Sequence, residues 1–346
     1  MTTAVRPTAA AREDDPVSAR ILVLTLGGTI ASVPSAAGAG GGAVPTLTGA
    51  DLVASVPGLA EVAQLETRSL RQLPSCDLTH ADIAEVGAVI DEALAAGSTD
   101  GVVVVQGTDT IEETAYLLDL LGDRPAPVVV TGAMRTPATP GADGPANLLA
   151  AVTVAASPQA AGLGVLVVLA DEIHAAARVH KAHSSAPHAF ASPGHGAVGR
   201  VVEGTARIAM RPVRDEADGP YVLPADVTWP CVPILRVAVG TGAHEVQALA
   251  AIADALVVEA PGGGHVPSWI VAALQEAAAR VPVVLASRTG AGGTLESTYG
   301  YPGSELDLLE KGLVSAGYRD AVKARLWLGV RLAADAWSAP ARADEG

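Results

Sequence analysis

The stretch "VVVVQGTDTIEETAYLLDLL", residues 102–121, joins four consecutive valines to a polar loop and then to an amphipathic run. A short β-branched run of this kind predicts a buried parallel strand, and the apolar residues after it recur at helical spacing. Thr110 and Glu113 have the spacing of a capping box at the start of that helix. Thr108 and Asp109 have no part in this local pattern. They come just beyond the carboxyl end of the strand, where open α/β sheets bind ligands.

The same pattern recurs along the chain as apolar runs that end in small, polar or glycine-rich loops. In the first part of the chain these runs are "ILVLTLGGT" (21–29), "GVVVVQGTDT" (101–110), "PVVVTGAMR" (127–135) and "GVLVVLADEI" (164–173). Helical runs separate them, such as "THADIAEVGAVIDEALAAG" (79–97), which begins with a Thr cap and ends at a glycine. Strands that alternate with helices predict a parallel, right-handed α/β sheet.

A Pro- and Asp-rich stretch, "RPVRDEADGPYVLPADVTWPC" (211–231), predicts a division into two domains. A second, smaller α/β set follows it in "VPILRVAVG" (232–240), "DALVVEAPGGG" (254–264) and "VPVVLASRTGAGG" (281–293). We therefore expect a disordered leader at 1–19, a larger N-terminal domain at 20–212, a linker at 213–231 and a smaller C-terminal domain at 232–346. The glycine-rich segment 33–49 after the first strand is a candidate lid, although its composition fits a disordered surface loop equally well.

Composition argues against several classes of function. The 346 residues carry a formal net charge of -15, which makes nucleic acid or an anionic membrane an unsuitable partner. Cys76 and Cys231 are too few for a disulfide framework and fit a reducing compartment. We find neither an N-terminal signal segment nor an apolar run that could span a bilayer. The sequence therefore predicts a soluble, cytoplasmic protein.

Three features could carry chemistry, although each also has a simple structural explanation. Gly27 and Gly28 precede Thr29 at the end of the first strand, where paired glycines most often form only a tight turn. Thr108 and Asp109 could be only the cap and the first-turn acid of the following helix. Lys181 would ordinarily be a solvated surface charge. A desolvated lysine beside a threonine hydroxyl can instead act as its general base.

Metal, cofactor and serine chemistry have weaker signals. Five of the eight histidines lie between His174 and His195, and His180 and His183 could share one face of a helix. No Cys or acid at matching spacing accompanies them, so we expect no metal. The glycine patterns of dinucleotide and P-loop sites are absent, and no cofactor is expected. Without a Gly-x-Ser-x-Gly motif, threonine is the favoured nucleophile.

Together these motifs resemble those of the bacterial-type L-asparaginases. The resemblance rests on "LTLGGTIAS", "VVVVQGTDTIEETAYLLDLL", "VVVTGAMRT", "GADGPANLLAAV", "GVLVVLADEIHAAARVHKAH" and "SRTGAGG", in this order. It implies a larger parallel-sheet domain and a smaller flavodoxin-like α/β domain. It also implies the hydrolysis of L-asparagine to L-aspartate and ammonia through a β-acyl-enzyme, with L-glutamine as a possible side substrate and no cofactor.

The resemblance assigns catalytic roles residue by residue. Thr29 would be the nucleophile that attacks the side-chain amide carbon. Thr108, Asp109 and Lys181 would form a second triad, and Asp109 would also receive the α-ammonium group of the substrate. Gln106 stands where the family commonly has a histidine.

Four further positions would bind the substrate. Ser75 would hold the α-carboxylate, and Cys76 occupies a position where a substrate-contacting glutamine is frequent. A carbonyl near Ala133 would shape the amide slot. Glu296 is a candidate contact to the ammonium group.

The base for the first threonine is not assigned by the resemblance. Relatives carry a lid tyrosine, but no tyrosine lies between Thr29 and Thr108. Tyr299 or Tyr301 is the candidate, supplied by a neighbouring subunit, because in the family the active site lies between two subunits. The alternative, that the pair only packs at a subunit interface, has equal weight. The resemblance accordingly implies a homotetramer built from intimate dimers with shared active sites.

Other functions stay open at this point. A hydrolase of another small carboxamide and a non-catalytic relative that binds an amino acid both fit the motifs. An amidotransferase subunit that feeds ammonia to charged tRNA resembles the family too, but it carries an extra N-terminal barrel that about twenty residues before the first strand could not form. The ratio of asparagine to glutamine activity is also open, because one methylene discriminates by only about 1–3 kcal/mol.

Overall fold

The computed structural model describes residues 18–34 and 43–337. The predicted leader lies outside the described residues except for its last two positions, and the candidate lid is described only at its two ends. Within this part of the chain there are sixteen strands and nine α-helices. No helix among these residues is long and apolar enough to cross a membrane.

The strands are β1 (Arg20–Gly27), β2 (Ser32–Pro34), β3 (Ala43–Pro45), β4 (Gln64–Leu73), β5 (Gly101–Val105), β6 (Val128–Thr131), β7 (Val165–Leu169), β8 (Glu172–Ala175), β9 (His180–Lys181), β10 (Phe190–Ala191), β11 (Gly199–Val202), β12 (Thr205–Ile208), β13 (Ile234–Arg236), β14 (Leu256–Ala260), β15 (Val283–Ser287) and β16 (Val314–Ser315). The helices are α1 (Gly49–Ala54), α2 (Leu59–Val62), α3 (His80–Ala95), α4 (Ile111–Leu120), α5 (Gly144–Ala155), α6 (Ala243–Ile252), α7 (Val271–Ala278), α8 (Glu305–Glu310) and α9 (Ala321–Ala333).

The larger domain contains an eight-stranded sheet in the order β12-β11-β8-β7-β6-β5-β1-β4. The five strands from β7 to β4 in this order are parallel, whereas β8, β11 and β12 pair antiparallel at one edge. Helices α3 and α4 cover one face and α5 covers the other, which is why β5, β6 and β7 are buried throughout. The predicted α/β class and the larger parallel-sheet domain are confirmed.

One predicted strand, 164–173, is two strands in the structure. Ala170 and Asp171 have φ angles of 48° and 61°, as in a type I′ turn, and they connect β7 to β8 as a hairpin. The backbone nitrogen of Ala170 donates to Oδ1 of Asn147 at 3.0 Å. The apolar run gave no sign of this turn, because alanine rarely adopts a left-handed backbone.

The smaller domain has a four-stranded parallel sheet in the order β13-β14-β15-β16. The predicted smaller α/β domain is thereby confirmed, although its strands follow chain order and differ from the 2-1-3-4-5 order of flavodoxin-like sheets. Helices α6 and α7 connect these strands and pack on one face of the sheet. The other face is covered by α9, which also packs against α4 of the larger domain in one shared core.

The predicted linker, 213–231, connects β12 to β13 and is bound to both domains. The buried carboxylate of Asp218 accepts a hydrogen bond from Tyr116 of α4 at 2.7 Å and another from Arg319, just before α9, at 2.7 Å. Arg319 therefore bridges the linker and the shared core. The exact domain boundaries stay a prediction.

Candidate active site

The carboxyl ends of β1, β5 and β6 meet beside the turn after β4. Thr29, Thr108 and Ser75 each begin a short 3-10 turn after β1, β5 and β4, respectively. Gly132 and Ala133 follow β6. Because parallel strands end at the same edge of a sheet, the order β6-β5-β1-β4 gathers these residues. We call Thr29, Ser75, Thr108, Asp109, Ala133 and Lys181 the strand-edge site.

A close backbone contact joins the two threonine turns. A Cβ atom on Gly28 would lie 2.0 Å from the backbone nitrogen of Gly107, so only glycine fits there. Gly28 also has φ 85° and ψ -173°, a conformation that other residues almost never adopt. Thr29 and Thr108 follow these two glycines directly. The contact between Gly28 and Gly107 therefore fixes the backbone next to both threonines.

Thr108 has a basic partner. The Nζ atom of Lys181 donates to Oγ1 of Thr108 at 2.9 Å and to Oδ1 of Asp109 at 2.6 Å. The Lys181 side chain is 11% exposed, whereas that of Asp109 is 71% exposed. The structure thus brings together the three residues that the resemblance assigned to a triad, with a largely buried lysine side chain and a carboxylate that faces solvent.

Glu112 fixes the position of Lys181. Its carboxylate lies 2.7 Å from Nδ1 of His180 and accepts from the backbone nitrogen of Lys181 at 3.3 Å. The hydrogen bond with Glu112 raises the pKa of His180 above its ordinary value. Since Glu112 is in the first turn of α4, the helix that begins after the Thr108 turn also anchors Lys181. The sequence patterns had given Glu112 no role.

Thr110 does not cap α4. Its hydroxyl donates to the carbonyl oxygen of Ser75 at 3.0 Å and accepts from Nε2 of Gln106 at 3.3 Å, and α4 has no side-chain cap. The predicted capping box of Thr110 and Glu113 is wrong, because the hydroxyl instead ties the Ser75 turn to the Thr108 turn. Ser75 is buried, and a Cβ atom on Gly107 would lie 2.9 Å from its Oγ. Ser75 therefore lies directly against the Thr108 turn.

Ala133 is held by two side chains to which the sequence gave no role. The Nδ2 atom of Asn147 donates to the carbonyl oxygen of Gly132 at 2.9 Å, and Oδ2 of Asp143 accepts from the backbone nitrogen of Met134 at 2.9 Å. The peptide groups on either side of Ala133 are therefore fixed. Both residues belong to "GADGPANLLAAV", and an asparagine inside an apolar helix was the available signal.

Thr29 and Cys76 have fewer contacts. Thr29 is partly exposed, and its hydroxyl forms no hydrogen bond with a described residue. Cys76 is exposed, and its Sγ lies 3.8 Å from Oδ1 of Asp77. The described part of the chain therefore offers Thr29 no base, and it turns the Cys76 thiol toward a neighbouring carboxylate.

Glu296, Tyr299 and Tyr301 are exposed in the loop after β15, outside the strand-edge site. The Tyr301 hydroxyl is 3.0 Å from Nδ1 of His265, and Nε2 of His265 is 3.0 Å from Oε2 of the buried Glu305. Among the described residues, no hydrogen bond links this loop to the strand-edge site. Within one chain, these three predicted residues therefore do not lie at the strand-edge site with Thr29 and Thr108.

The histidine-rich segment does not form a helix face. His180 lies in β9, and the ring of His183 accepts from backbone nitrogens of the next turn along the chain. Glu112 and Asp320 have carboxylate oxygens near His180. The ammonium group of Lys323 lies 3.7 Å from Glu112 and 3.1 Å from Asp320. A lysine therefore already supplies the positive charge at this cluster.

The two sheets are joined through α9, and a site that contains threonines and a lysine lies at the carboxyl edge of the larger sheet. This arrangement defines a two-domain α/β enzyme. Both domains match family models: Asparaginase, N-terminal, over residues 20–214, and Glutaminase/Asparaginase C-terminal domain, over residues 231–342. The chain belongs to the asparaginase family, and the resemblance found in its motifs is confirmed.

Individual relatives are similar over most of their length. A probable L-asparaginase of Deinococcus radiodurans is 38% identical over 90% of this chain and 92% of that protein. A glutaminase-asparaginase of Pseudomonas fluorescens biotype A is 34% identical over 80% of this chain and 77% of that protein. The crystal structure of a probable cytoplasmic L-asparaginase from Campylobacter jejuni has a TM-score of 0.80 at 30% identity, covering 91% of this chain and 95% of that one.

Proposed function

We propose that this enzyme hydrolyses the side-chain amide of L-asparagine to L-aspartate and ammonia. Family membership and the names of its relatives support an asparagine amidohydrolase. The observation that carries the proposal for this chain is the hydrogen bond from Lys181 to Thr108, 2.9 Å long, next to a turn that presents a second threonine. An amine beside a hydroxyl can accept its proton and so activate it. A carbonyl held between two hydroxyls can react first with one threonine and then with a water activated at the other.

The reaction has two covalent steps. The hydroxyl oxygen of Thr29 bonds to the amide carbon, its proton passes to a base, and the C–N bond breaks as the nitrogen takes up a proton and leaves as ammonia. Water then adds to the ester carbon, the bond to Thr29 breaks, and aspartate leaves while the threonine regains its proton. Thr108 with Lys181 removes the proton from this water.

Substrate binding uses the two charges of a free amino acid. Asp109 receives the α-ammonium group on its exposed side, and Ser75 with neighbouring backbone nitrogens holds the α-carboxylate. The fixed backbone around Ala133 holds the carboxamide, while Cys76 borders the carboxylate end. Interactions at both ends of the substrate orient the carbonyl for attack.

The base for Thr29 comes from a second copy of the chain. Tyr301 is the favoured group, with Tyr299 as the alternative, because its hydroxyl is exposed and hydrogen-bonded to His265. Glu296 from the same loop would approach the substrate ammonium. This arrangement requires at least a dimer, and the family resemblance favours a homotetramer built from such dimers. A cytoplasmic location also stays a prediction.

Glutamine is the expected side substrate, because a relative in Pseudomonas fluorescens is named glutaminase-asparaginase. An extra methylene in such a pocket changes kcat/KM by roughly 10- to 200-fold. We therefore expect measurable but weaker glutamine hydrolysis.

The test is an ammonia-release assay on L-asparagine, L-glutamine and their D-isomers, combined with a trap for the acyl-enzyme. Hydroxylamine competes with water for a β-acyl-enzyme, so asparagine plus hydroxylamine should give β-aspartyl hydroxamate. Thr29→Ser is the control that keeps a hydroxyl at the attacking position.

Each outcome separates the candidate functions. Ammonia without any hydroxamate would contradict the acyl-enzyme step. Asparagine that binds in calorimetry without being hydrolysed would indicate an amino-acid-binding relative. Turnover only of other carboxamides would reassign the substrate.

A further inference from the structure

A cluster of polar side chains lies at the carboxyl edge of the smaller sheet. His265 is in the loop after β14, and Tyr301 is in the loop after β15. These two strands are parallel neighbours, so their carboxyl ends meet at one edge of the sheet. The loops are also joined by a backbone hydrogen bond, from the nitrogen of Val266 to the carbonyl oxygen of Gly303 at 2.8 Å. The fold therefore fixes the two side chains next to each other.

A buried carboxylate holds His265 on its other side. Glu305, the first residue of α8, is fully buried, and its Oε2 lies 3.0 Å from Nε2 of His265. Its Oε1 accepts from the backbone nitrogens of Thr298 and Tyr299 at 2.8 and 2.6 Å. Burial raises the pKa of Glu305, but the hydrogen bonds from backbone nitrogens outweigh burial and keep this pKa below its ordinary value. Glu305 is therefore a charged carboxylate at neutral pH.

This carboxylate determines which nitrogen of His265 carries the proton. Because a carboxylate only accepts hydrogen bonds, Nε2 of the neutral ring has the proton and donates to Glu305. Nδ1 then has a free lone pair and accepts from the Tyr301 hydroxyl, 3.0 Å away. Tyrosine, histidine and glutamate thus stand in the same order as the serine, histidine and aspartate of a hydrolase triad.

Tyr299 provides a comparison within the same loop. Tyr299 and Tyr301 are 45% and 47% exposed, and their ring centroids lie 5.1 and 5.6 Å from that of His265. The Tyr299 hydroxyl, however, forms no hydrogen bond with a described residue. Ring packing against His265 is therefore common to both tyrosines, whereas the hydroxyl contact distinguishes Tyr301.

We propose that Tyr301, His265 and Glu305 form a proton relay that serves Thr29 of a second copy of the chain. This inference rests on the proposed asparaginase function, in which Tyr301 approaches that threonine. A phenol alone is a poor base near neutral pH, because its ordinary pKa is about 10, whereas that of imidazole is about 6.5. The relay lets a tyrosine receive the proton of Thr29 while a histidine stores the charge.

The proton is conserved at each step of the relay. As the Thr29 oxygen bonds to the amide carbon, its proton passes to the Tyr301 oxygen and the phenolic proton passes to Nδ1 of His265. The Glu305 carboxylate stabilises the resulting imidazolium through Nε2. The proton returns through Tyr301 to the leaving nitrogen as the C–N bond breaks, and ammonia departs. His265 and Glu305 act only through Tyr301 and are positioning residues.

Chemical labelling tests the relay without the use of asparagine. With p-nitrophenyl acetate the phenolic oxygen bonds to the acetyl carbon, p-nitrophenolate leaves, and the phenolic proton passes through His265 to solvent. His265→Asn keeps an acceptor near the position of Nδ1 but cannot take up the proton. Acetylation of Tyr301 in the full-length protein, located by mass spectrometry, should slow by about tenfold or more in this variant.

Tyr299 is the internal control in the labelling experiment, because it has the same exposure and the same ring contact. Its acetylation should not change in His265→Asn. An unchanged rate at Tyr301, or equal slowing of both tyrosines, would overturn the proposal.

A double-mutant cycle tests the relay in turnover. Tyr301→Phe and His265→Asn should each lower kcat for asparagine by about 10²-fold with little change in KM. The double variant should be no slower than Tyr301→Phe, because groups that act as one unit are not additive. Losses that multiply in the double variant would overturn the proposal.

Three further variants separate proton transfer from folding. Added imidazole should restore part of kcat in His265→Ala but not when Tyr301→Phe is also present. Glu305→Gln keeps an oxygen for the backbone nitrogens and removes the charge, so it should lower kcat as well. His244→Asn, which changes an exposed histidine of α6, is the control and should keep wild-type kcat. Thermal unfolding of each variant checks that the fold is intact.

The two experiments distinguish the relay from the proposed function. Tyr301 labelling that depends on His265, in a protein that releases no ammonia from asparagine, would refute the proposed function and leave the relay standing. Hydrolysis of asparagine at the wild-type kcat in His265→Asn would leave the function standing and overturn the relay.

Discussion

The two threonine turns of the larger domain differ in how much of their chemistry one chain supplies. Thr108 has Lys181 at 2.9 Å, and Glu112 anchors that lysine from the helix that begins after the turn. Thr29 starts from the same contact between Gly28 and Gly107, but its hydroxyl has no hydrogen-bond partner among the described residues. Backbone packing therefore positions both threonines, whereas among the described residues only the Thr108 hydroxyl has a lysine as hydrogen-bond partner.

This difference arises from the chain segment after each turn. After Thr108 the chain enters α4, which lies in the core and packs against β9, so a base from β9 is held rigidly. After Thr29 the chain enters the hairpin of β2 and β3, whose tip lies outside the described residues. In the function that we propose, the proton acceptor of Thr29 therefore comes from a second copy of the chain.

The largest effect is expected from Thr29→Ala. Removal of the attacking oxygen should lower kcat for asparagine by roughly 10⁴-fold or more, with little change in KM. Ammonia release measures the loss, and Thr29→Ser should retain much more activity. If Thr29→Ala keeps a tenth of wild-type turnover, the two turns have the opposite roles and Thr108 becomes the candidate nucleophile.

Lys181→Met should lower kcat by about 10²- to 10⁴-fold, since Thr108 would lose its proton acceptor. Lys181→Arg should be similarly inactive, because a guanidinium stays protonated. Lys311→Met, which changes a lysine of the smaller domain outside the strand-edge site, is the control and should keep wild-type turnover. Full activity in Lys181→Met would mean that Lys181 is not the proton acceptor of Thr108, so that neither threonine turn has a base from its own chain.

Gly28→Ala tests the contact that positions both threonines. We expect a loss of about 3 kcal/mol in the free energy of unfolding, from a left-handed alanine and from overpacking against Gly107. Gly162→Ala is a matched control, because Gly162 also has a positive φ, 68°, but a Cβ atom there would meet nothing within 4 Å. Urea unfolding compares the two. Equal losses would mean that the Gly107 backbone can move away.

Tyr301→Phe should lower kcat by about 10²-fold if a second copy supplies the base for Thr29. Mixing Tyr301→Phe chains with Thr29→Ala chains should then restore activity, because hybrid dimers contain one site with both groups. Tyr299→Phe tests the alternative group and should keep wild-type turnover if Tyr301 is the base. Wild-type turnover in the double Phe variant would remove this loop from the mechanism.

The smallest effect concerns the helix behind Thr108. Burial raises the pKa of Asp119 in α4 to about 6, despite the nearby Arg214. With an unfolded pKa of about 3.9, the folded state binds more protons between these values, so stability should fall as pH rises from about 4 to about 6. Asp119→Asn should flatten this fall, whose slope for one proton is at most about 1.4 kcal/mol per pH unit. Urea unfolding at several pH values measures both slopes, and identical slopes would contradict the shift.

Local patterns in the sequence were sufficient for much of the fold. The predicted cap of α3 is confirmed, with Thr79 and Asp82 in a capping box. The predicted buried strand at 102–105 is confirmed as part of β5. Within the candidate site, the grouping of Thr108, Asp109 and Lys181 came from the family resemblance, and spacing along the chain could not have supplied it. The substrate contacts of Cys76 and Glu296 stay predictions.

By itself the sequence determined the two α/β sets, the strand ends that carry the threonines, and the family. These are encoded by periodicity, caps and short motifs, all of which act over a few residues. Only the tertiary structure decided that Thr110 binds Ser75 and that Glu112 holds Lys181, 35 and 69 residues apart in the chain. Such hydrogen bonds depend on which elements pack together. A hydroxyl or carboxylate that fits a local cap equally well binds a distant partner once the fold brings one within reach.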